Sequence, residues 1–337
     1  MRISILIPCH NEEKSIRQCV ESCLTQTRLP NQIVVVDDGS TDRSLPILME
    51  FGNQIEVVNL PQCTGNKSRA QQVGLKYITG DVFVTTDADT ILDAHFLEHV
   101  EKGLANPKVA AVSGYVKSLR HNWLTAIREI DYIISQRLHK TAQSYMNSIL
   151  VIPGCAAAFR TDVFRRYASF DHDTVTEDLD FTYKFNRANL KIKFDKEAIS
   201  YTQDPADLKS YIGQMKRWFG GGWQNLKKHQ RILTSPVSAL ELTLIYIEGL
   251  FFSLTFFVMP FINIKVFGYI MFFGLIMGLS GALYGAFAQK RFDLLLYAPL
   301  YPLVIPINCA TFLGEFFRLF LFKKYNLVWF KPKRRAI

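Results

Sequence analysis

Apolar runs and amphipathic stretches alternate along the first 120 residues. Runs typical of buried strands, such as ISILIPC (3–9), IVVVDD (33–38) and VFVTT (82–86), are separated by segments with apolar residues at helical spacing. Strands that alternate with helices of about 10–15 residues indicate βαβ units and a mainly parallel sheet. We therefore predict an α/β domain with a Rossmann-like sheet over residues 1–204. Within it, residues 122–150 are predicted to form one long helix whose apolar side includes Ile134 and Leu138.

The pattern changes twice after this domain. Residues 205–236 begin with the spacing of an amphipathic helix and then carry Gly220, Gly221 and Gly222, which predicts a segment at a membrane interface that ends in a glycine-rich loop. Residues 237–322 are largely apolar. The runs at 237–259 and 266–288 are long enough to cross a bilayer, and the proline-containing run at 294–322 is either a third span or a re-entrant segment.

Charge and cysteine content indicate the cellular location and the partners of the protein. The formal net charge is +9, and the tail at 323–337 is basic, which is typical of a cytoplasmic segment beside a membrane. No nucleic-acid motif accompanies the charge, so we expect membrane lipids as partners and no nucleic acid. The six cysteines form no metal-ligand spacing, which favours reduced thiols. We predict a multi-pass protein of the plasma membrane whose first domain faces the cytosol.

Acidic residues mark the candidate chemistry. Asp37–Asp38 and the DAD motif at 87–89 each follow a strand, and parallel strands place such ends at one edge of a sheet. Carboxylates suit Mg²⁺ or Mn²⁺, although DAD alone fits a solvated turn equally well. The TED motif at 176–178 is either a helix start with favourable acids or a general base, and local sequence leaves both open. Neither a GxGxxG after the first strand nor a P-loop motif is present.

The order of the motifs carries a resemblance. DDGS (37–40), DAD (87–89), PGCAAAFR (153–160), TED (176–178) and QMKRW (214–218) follow one another before the apolar runs. This series resembles the inverting glycosyltransferases of family 2, which have the GT-A fold, and in particular the membrane-integrated QxxRW branch of hyaluronan, chitin, cellulose and poly-N-acetylglucosamine synthases. The resemblance covers nearly the whole chain.

The resemblance implies a role for each matching residue. The expected nucleoside pocket is lined by Pro8, Glu12, Asp38 and Lys67. Asp87 is expected against the nucleotide, and Asp89 is expected to hold Mg²⁺ or Mn²⁺ on the diphosphate. The expected catalytic group comprises Asp178 as the base, Glu177 beside it, and Gln214, Arg217 and Trp218 near the diphosphate and the acceptor sugar.

The resemblance also implies the reaction. The expected donor is a nucleotide-diphosphate sugar, in particular a UDP-sugar such as UDP-N-acetylglucosamine, and in-line attack gives a β-linked polysaccharide or oligosaccharide. The alternative is transfer of one sugar to a lipid such as a polyprenyl phosphate or diacylglycerol. QxxRW favours the polymer, whereas a chain that starts directly at the catalytic strand favours the lipid. Secretion of a polymer would require a homo-oligomer or a partner subunit. A non-enzymatic scaffold is disfavoured by Asp89, Asp178 and Arg217.

Overall fold

A computed structural model describes residues 1–119, 121–234, 236–325 and 327. Within these residues the chain forms one eight-stranded sheet with the order β3-β2-β1-β4-β7-β6-β8-β5. The strands are β1 Ile3–Cys9, β2 Gln32–Asp38, β3 Glu56–Leu60, β4 Val82–Thr85, β5 Thr90–Leu92, β6 Val109–Ser118, β7 Ala157–Arg160 and β8 Lys191–Thr202.

The sheet is mainly parallel, as the sequence predicts. Strands β3, β2, β1 and β4 run in one direction, and β6 and β8 pair parallel to each other, whereas β7 and β5 are antiparallel to their neighbours. Every residue of β1 is buried, as expected for a strand covered by helices on both faces. The DAD motif forms the turn between β4 and β5.

The helices of this domain pack on both faces of the sheet. They are α1 Ile16–Leu24, α2 Ser44–Met49, α3 Lys67–Gly74, α4 Phe96–Gly103, α5 Trp123–Tyr132, α6 Thr141–Met146, α7 Thr161–Tyr167 and α8 Glu177–Arg187, with a short 3₁₀ turn at Gly52–Gln54.

Helices α5 and α6 are joined by the π-helical segment Ile133–Lys140, so helical backbone runs from Trp123 to Met146. The sequence predicts one long helix here, with Leu138 on its apolar side. That placement is wrong, because Leu138 is 41% exposed whereas Lys140 is 3% exposed. A π-helical turn contains more residues than an α-helical turn, and it therefore rotates the side chains that follow it.

Helix α9, Leu208–Lys228, contains QxxRW and continues without a break through the three glycines. The predicted glycine-rich loop is therefore not formed. The face of α9 that carries Tyr211 and Met215 is buried against Leu124, Ile127 and Val304. It packs on protein in this structure.

The C-terminal apolar region folds into helices. Their bounds are 3₁₀ Gln230–Thr234, α10 Pro236–Thr243, π Leu244–Glu248, α11 Gly249–Ile262, α12 Ile264–Gln289, 3₁₀ Phe292–Leu296, 3₁₀ Ala298–Val304, α13 Ile305–Phe316 and π Phe317–Leu321. Within the described chain, three helical stretches are long and apolar enough to cross a membrane, at Ala239–Ile262, Ile264–Gln289 and Ala298–Leu321. Length and composition therefore permit a third span. Most of the basic tail lies outside the described residues.

Candidate active site

One cavity of about 980 Å³ opens at the carboxyl ends of the parallel strands. All eleven site residues predicted from the sequence line it. They are Pro8, Glu12, Asp38, Lys67, Asp87, Asp89, Glu177, Asp178, Gln214, Arg217 and Trp218. The cavity continues between α9 and the candidate spans, where Leu242, Ile245, Tyr246, Tyr301 and Asn308 line it.

The end of β2 is fixed by the loop that leads into α3. Oδ1 of Asp38 accepts a hydrogen bond from the backbone N–H of Thr64 at 2.8 Å, and Oδ2 accepts one from the Thr64 hydroxyl at 2.8 Å. Nearby, the backbone N–H of Glu12 donates to the hydroxyl of Ser44 at 2.7 Å. The loop that carries Thr64 and the first residue of α2 thus hold Asp38 and the backbone of Glu12 at this end of the cavity.

Lys67 links the DAD motif to the TED motif. Its ammonium lies 2.6 Å from Asp87 Oδ1 and 2.8 Å from Glu177 Oε1. Burial opposes the charge of Lys67, but the carboxylates of Asp87 and Glu177 outweigh it and raise the pKa of Lys67 above its usual range. Lys67 lines the cavity as expected, and it contacts these two acids.

Asp89 offers carboxylate oxygens in the cavity wall and is 4% exposed. The hydroxyl of Thr90 donates to its Oδ1 at 3.3 Å. Carboxylate oxygens are the ligands that Mg²⁺ and Mn²⁺ prefer. Since Asp87 is paired with Lys67, the donor set fits a divalent cation held through Asp89.

Asp178 lies in the cavity at the start of α8. One of its oxygens accepts a hydrogen bond from the N–H of Leu179 at 2.9 Å. Burial raises the pKa of Asp178 to about 6, and the neighbouring Glu177 adds to this, while Lys67 and Arg217 act in the opposite direction. A carboxylate whose pKa lies near neutrality is suited to accept a proton from a hydroxyl.

The QxxRW side chains line the cavity from α9. Gln214 is 7% exposed, and its Oε1 has no hydrogen-bond partner among the described residues. A buried amide oxygen without a partner is unfavourable, so this atom is available to a ligand. Arg128, which the sequence does not single out, lies with its guanidinium 4.6 Å from the centre of the Trp218 ring. The Nη1 of Arg128 also donates to Asp131 at 2.8 Å.

Helix α9 also holds the loop that leads to TED. Gln224 accepts a hydrogen bond from the N–H of Val175 at 3.0 Å. The amide of Asn225 donates to the carbonyl of Thr176 at 3.1 Å and to its hydroxyl at 3.0 Å. A Cβ on Gly221 would lie 2.2 Å from Oγ1 of Thr176. Glycine is therefore required for this close approach.

The two neighbouring glycines face the candidate spans. A Cβ on Gly220 would lie 2.9 Å from Glu315, and one on Gly222 would lie 2.7 Å from the hydroxyl of Tyr246. Trp223 packs on the Tyr246 ring, with the ring centres 4.6 Å apart. The three glycines thus let one helix contact the TED loop and two candidate spans.

A cluster of ion pairs joins the end of α9 to α8. Asp180 is fully buried and lies 2.6 Å from Lys228 and 2.7 Å from His229. Asp171 and Asp173 are close enough to Asp180 to share a metal ion, but Lys228 lies 2.8 Å from Asp171 and 2.6 Å from Asp173. We interpret these acids as members of an ion-pair cluster that holds the end of α9 against α8.

Sequence reasoning missed the residues that support the site. Gln224 and Asn225 belong to no motif, and their contacts depend on the tertiary structure. Arg128 and Lys140 were also missed, because the buried faces of their helical segments carry other polar residues, Thr125, Glu129 and Gln136, and a cation there forms no distinct pattern.

The sheet order and the acid-lined cavity define a GT-A fold, and comparison with solved structures agrees. The chain is similar to a mannosyltransferase from Pyrobaculum calidifontis solved in complex with GDP-Man and Mn²⁺, with a TM-score of 0.67 and 18% identity over 96% of this chain and 88% of that chain. It is also similar to residues 1–349 of S. aureus TarS in complex with UDP-GlcNAc, with a TM-score of 0.50 and 17% identity over 97% and 93% of the two chains. At these identities the similarity shows the fold alone.

Sequence comparison finds similarity to one family of glycosyltransferases. Residues 4–168 match the model of glycosyl transferase family 2. The chain is 27% identical over 231 residues to a poly-β-1,6-N-acetyl-D-glucosamine synthase of Staphylococcus epidermidis, and the aligned region covers 66% of this chain and 55% of that protein. It is 28% identical over 233 residues to an N-acetylglucosaminyltransferase of Azorhizobium caulinodans, and the aligned region covers 64% of this chain and 58% of that protein. The chain thus spans little more than half the length of these curated relatives.

Proposed function

We propose that the protein is a membrane-bound inverting glycosyltransferase that forms β-glycosidic bonds from a nucleotide-diphosphate sugar. A UDP-sugar is the proposed donor, and UDP-N-acetylglucosamine is the first candidate because relatives with that sugar in their names are among the matches. The observation that carries the proposal is the convergence of all eleven predicted residues on one cavity.

The proposed mechanism assigns separate tasks to the two ends of the cavity. Pro8, Glu12, Asp38 and Lys67 bind the nucleoside, while Arg217 supplies positive charge near the leaving diphosphate. Bound Mg²⁺ or Mn²⁺, held by Asp89, would supply further stabilisation of the negative charge on the leaving group. Positive charge fixed in place before the reaction stabilises the transition state without reorganisation.

Asp178 is the proposed general base. With a pKa near 6, it is mostly ionised at pH 7 and accepts the proton of the incoming hydroxyl. Attack from its side, opposite to the leaving diphosphate, inverts the anomeric configuration. Trp218, held by Arg128, is proposed to stack on the acceptor sugar, and Gln214 to accept a hydrogen bond from a substrate.

The favoured product is a polysaccharide or oligosaccharide, with the catalytic domain on the cytosolic side of the plasma membrane. Transfer of one sugar to a lipid is the second candidate. The continuation of the cavity to Leu242 and Ile245 of the first candidate span supports it, since an acceptor could enter from the bilayer. Polymer secretion would require a homo-oligomer or a partner subunit.

Incubation of membranes containing the protein with labelled nucleotide sugars and Mn²⁺ tests the proposal. We expect transfer from one UDP-sugar, loss of transfer in Asp178→Asn, and a product whose size separates polymer from glycolipid. Absence of transfer and of UDP release with every common donor, while the protein stays folded, would refute the proposed activity.

A further inference from the structure

Lys140 is a buried cation in the wall of the same cavity. It ends the π-helical segment, is 3% exposed, and lines the cavity. Its Nζ donates a long hydrogen bond of 3.5 Å to the hydroxyl of Ser113 and lies 5.8 Å from the centre of the Phe194 ring. No described carboxylate lies within 4.0 Å of this ammonium.

The other buried cations of the cavity are paired. Lys67 contacts Asp87 and Glu177 at 2.6 and 2.8 Å. Arg128 contacts Asp131 at 2.8 Å. Burial of a charge without a counter-ion is costly, and proteins therefore pair such charges with side chains or with a ligand. Lys140 is not paired with a described carboxylate, and it lines the cavity, where a ligand could supply the counter-ion.

Lys140 and Asp178 line the same cavity, and the negative charge of Asp178 acts on the ammonium of Lys140. Burial lowers the pKa of Lys140 to about 8, and Cys155 and Asp178 oppose this shift. The ammonium is thus the major form at pH 7. Burial also raises the pKa of the Cys155 thiol, so Cys155 is neutral and supplies no counter-ion.

We propose that Lys140 binds an anionic oxygen of the acceptor, either the carboxylate of an acidic sugar or the phosphate of a lipid. The inference rests on the proposed function and specifies its acceptor. Lys140 shares its helix with Ile134, Ser135 and His139, which line the cavity beside it. An acceptor with its hydroxyl near Asp178 would therefore place a neighbouring anionic group within this wall.

Two pairs of acceptors test the proposal with the full chain in phosphatidylcholine vesicles. The first pair is phosphatidylglycerol, which carries hydroxyl groups beside its phosphate, and diacylglycerol, which carries a hydroxyl group and no charge. The second pair is an oligosaccharide that contains glucuronic acid and a neutral N-acetylglucosamine oligosaccharide of equal length. Lys140→Met removes the charge at similar volume, Lys140→Arg keeps it, and Lys209→Met removes an exposed lysine that does not line the cavity.

We expect Lys140→Met to raise the KM for one anionic acceptor on the order of 10- to 100-fold relative to its neutral partner, the size expected for a charge-assisted hydrogen bond. The KM for the donor should stay unchanged, and Lys140→Arg should keep most of the preference. The pair that responds identifies the carboxylate or the phosphate.

An equal effect of Lys140→Met on charged and neutral acceptors would overturn the proposal, as would loss of the preference in Lys209→Met. Wild-type protein that transfers sugar but has no preference for either anionic acceptor would also overturn it, and would leave the proposed activity intact. If the wild type transfers to no acceptor and releases no UDP, the proposed function itself fails. A thermal unfolding curve for each variant separates these results from loss of the fold.

Discussion

Substitution of Gly221 by alanine tests whether α9 positions the proposed base. The added Cβ would lie 2.2 Å from Oγ1 and 2.5 Å from Cγ2 of Thr176, whereas ordinary contact begins at 3.4 Å. Thr176 or α9 must therefore move by about 1.2 Å, the difference between 3.4 and 2.2 Å. Thr176 is two residues before Asp178, so a movement of Thr176 is expected to displace the carboxylate of the proposed base.

The expected effect falls mainly on kcat. A displacement of about 1 Å at a reacting group can cost roughly 100-fold in rate, which corresponds to about 2.7 kcal/mol in the barrier. Overpacking costs about 1–3 kcal/mol of stability, and alanine recovers about 1 kcal/mol of helix propensity relative to glycine. The net loss of roughly 0–2 kcal/mol leaves the protein folded.

The assay compares UDP release and thermal unfolding for three variants. Gly314→Ala is the matched control, because Gly314 also lies in a helix and no described atom is within 4 Å of the Cβ position. Thr176→Ala in the Gly221→Ala background removes Oγ1 and Cγ2 and should restore part of kcat. A Gly221→Ala protein with kcat within threefold of the wild type would refute the proposed coupling, and so would a loss explained entirely by unfolding.

Three further predictions follow from the contacts of the site. First, kcat/KM should fall below about pH 6, where Asp178 takes up a proton; Glu177→Gln should move this limb to lower pH by removing a negative neighbour, and Lys67→Gln should move it to higher pH by removing a positive one. A pH profile in which both variants shift in the same direction would contradict the assignment. Second, Asn225→Ala removes the donor to the carbonyl and hydroxyl of the TED loop and should lower the free energy of unfolding by about 1–3 kcal/mol; denaturant unfolding measures this, and a change below about 0.5 kcal/mol would show that these bonds add little. Third, Asp89→Asn should raise the Mn²⁺ concentration for half-maximal transfer at least about tenfold, and an unchanged metal titration would remove Asp89 from the ligand set.

The sheet and the edge that carries the acids could be predicted from local pattern. Strands such as β1 are apolar at nearly every position, and parallel strands bring their carboxyl ends together, so Asp38 and Asp89 reach one cavity. The roles of Asp178 and Arg217 could not be derived locally, because acids at a helix start and an arginine on an amphipathic helix have ordinary structural explanations. Their assignment depended on the order of motifs.

The glycines of α9 show why local propensity fails here. Each glycine disfavours a helix by about 1 kcal/mol relative to alanine, so a glycine triplet predicts a break. In the structure the helix continues, and its glycines let Thr176, Tyr246 and Glu315 approach it more closely than a Cβ would allow. These partners are distant in sequence, and no local pattern contains them.

The π-helical segment shows a second limit. Regular α-helical spacing from Ile134 places Leu138 on the buried face, but the wider turn changes the phase and leaves Lys140 buried in its place. Nothing in the spacing of the apolar residues indicates where such a turn occurs. The burial of Lys140, the cation that we assign to acceptor binding, could therefore not be predicted from the spacing of apolar residues.

Helix α9 makes the number of residues between its motifs part of the site. Gln214, Arg217, Gly221 and Asn225 recur at intervals of three or four residues, and therefore share one face of the helix. Insertion or deletion of one residue after Trp218 would rotate everything beyond it by about 100°. The cavity residues would stay in place while the contacts to the TED loop turned away. In chimeras between relatives, QxxRW and the glycine triplet should therefore be exchanged together as one uninterrupted block.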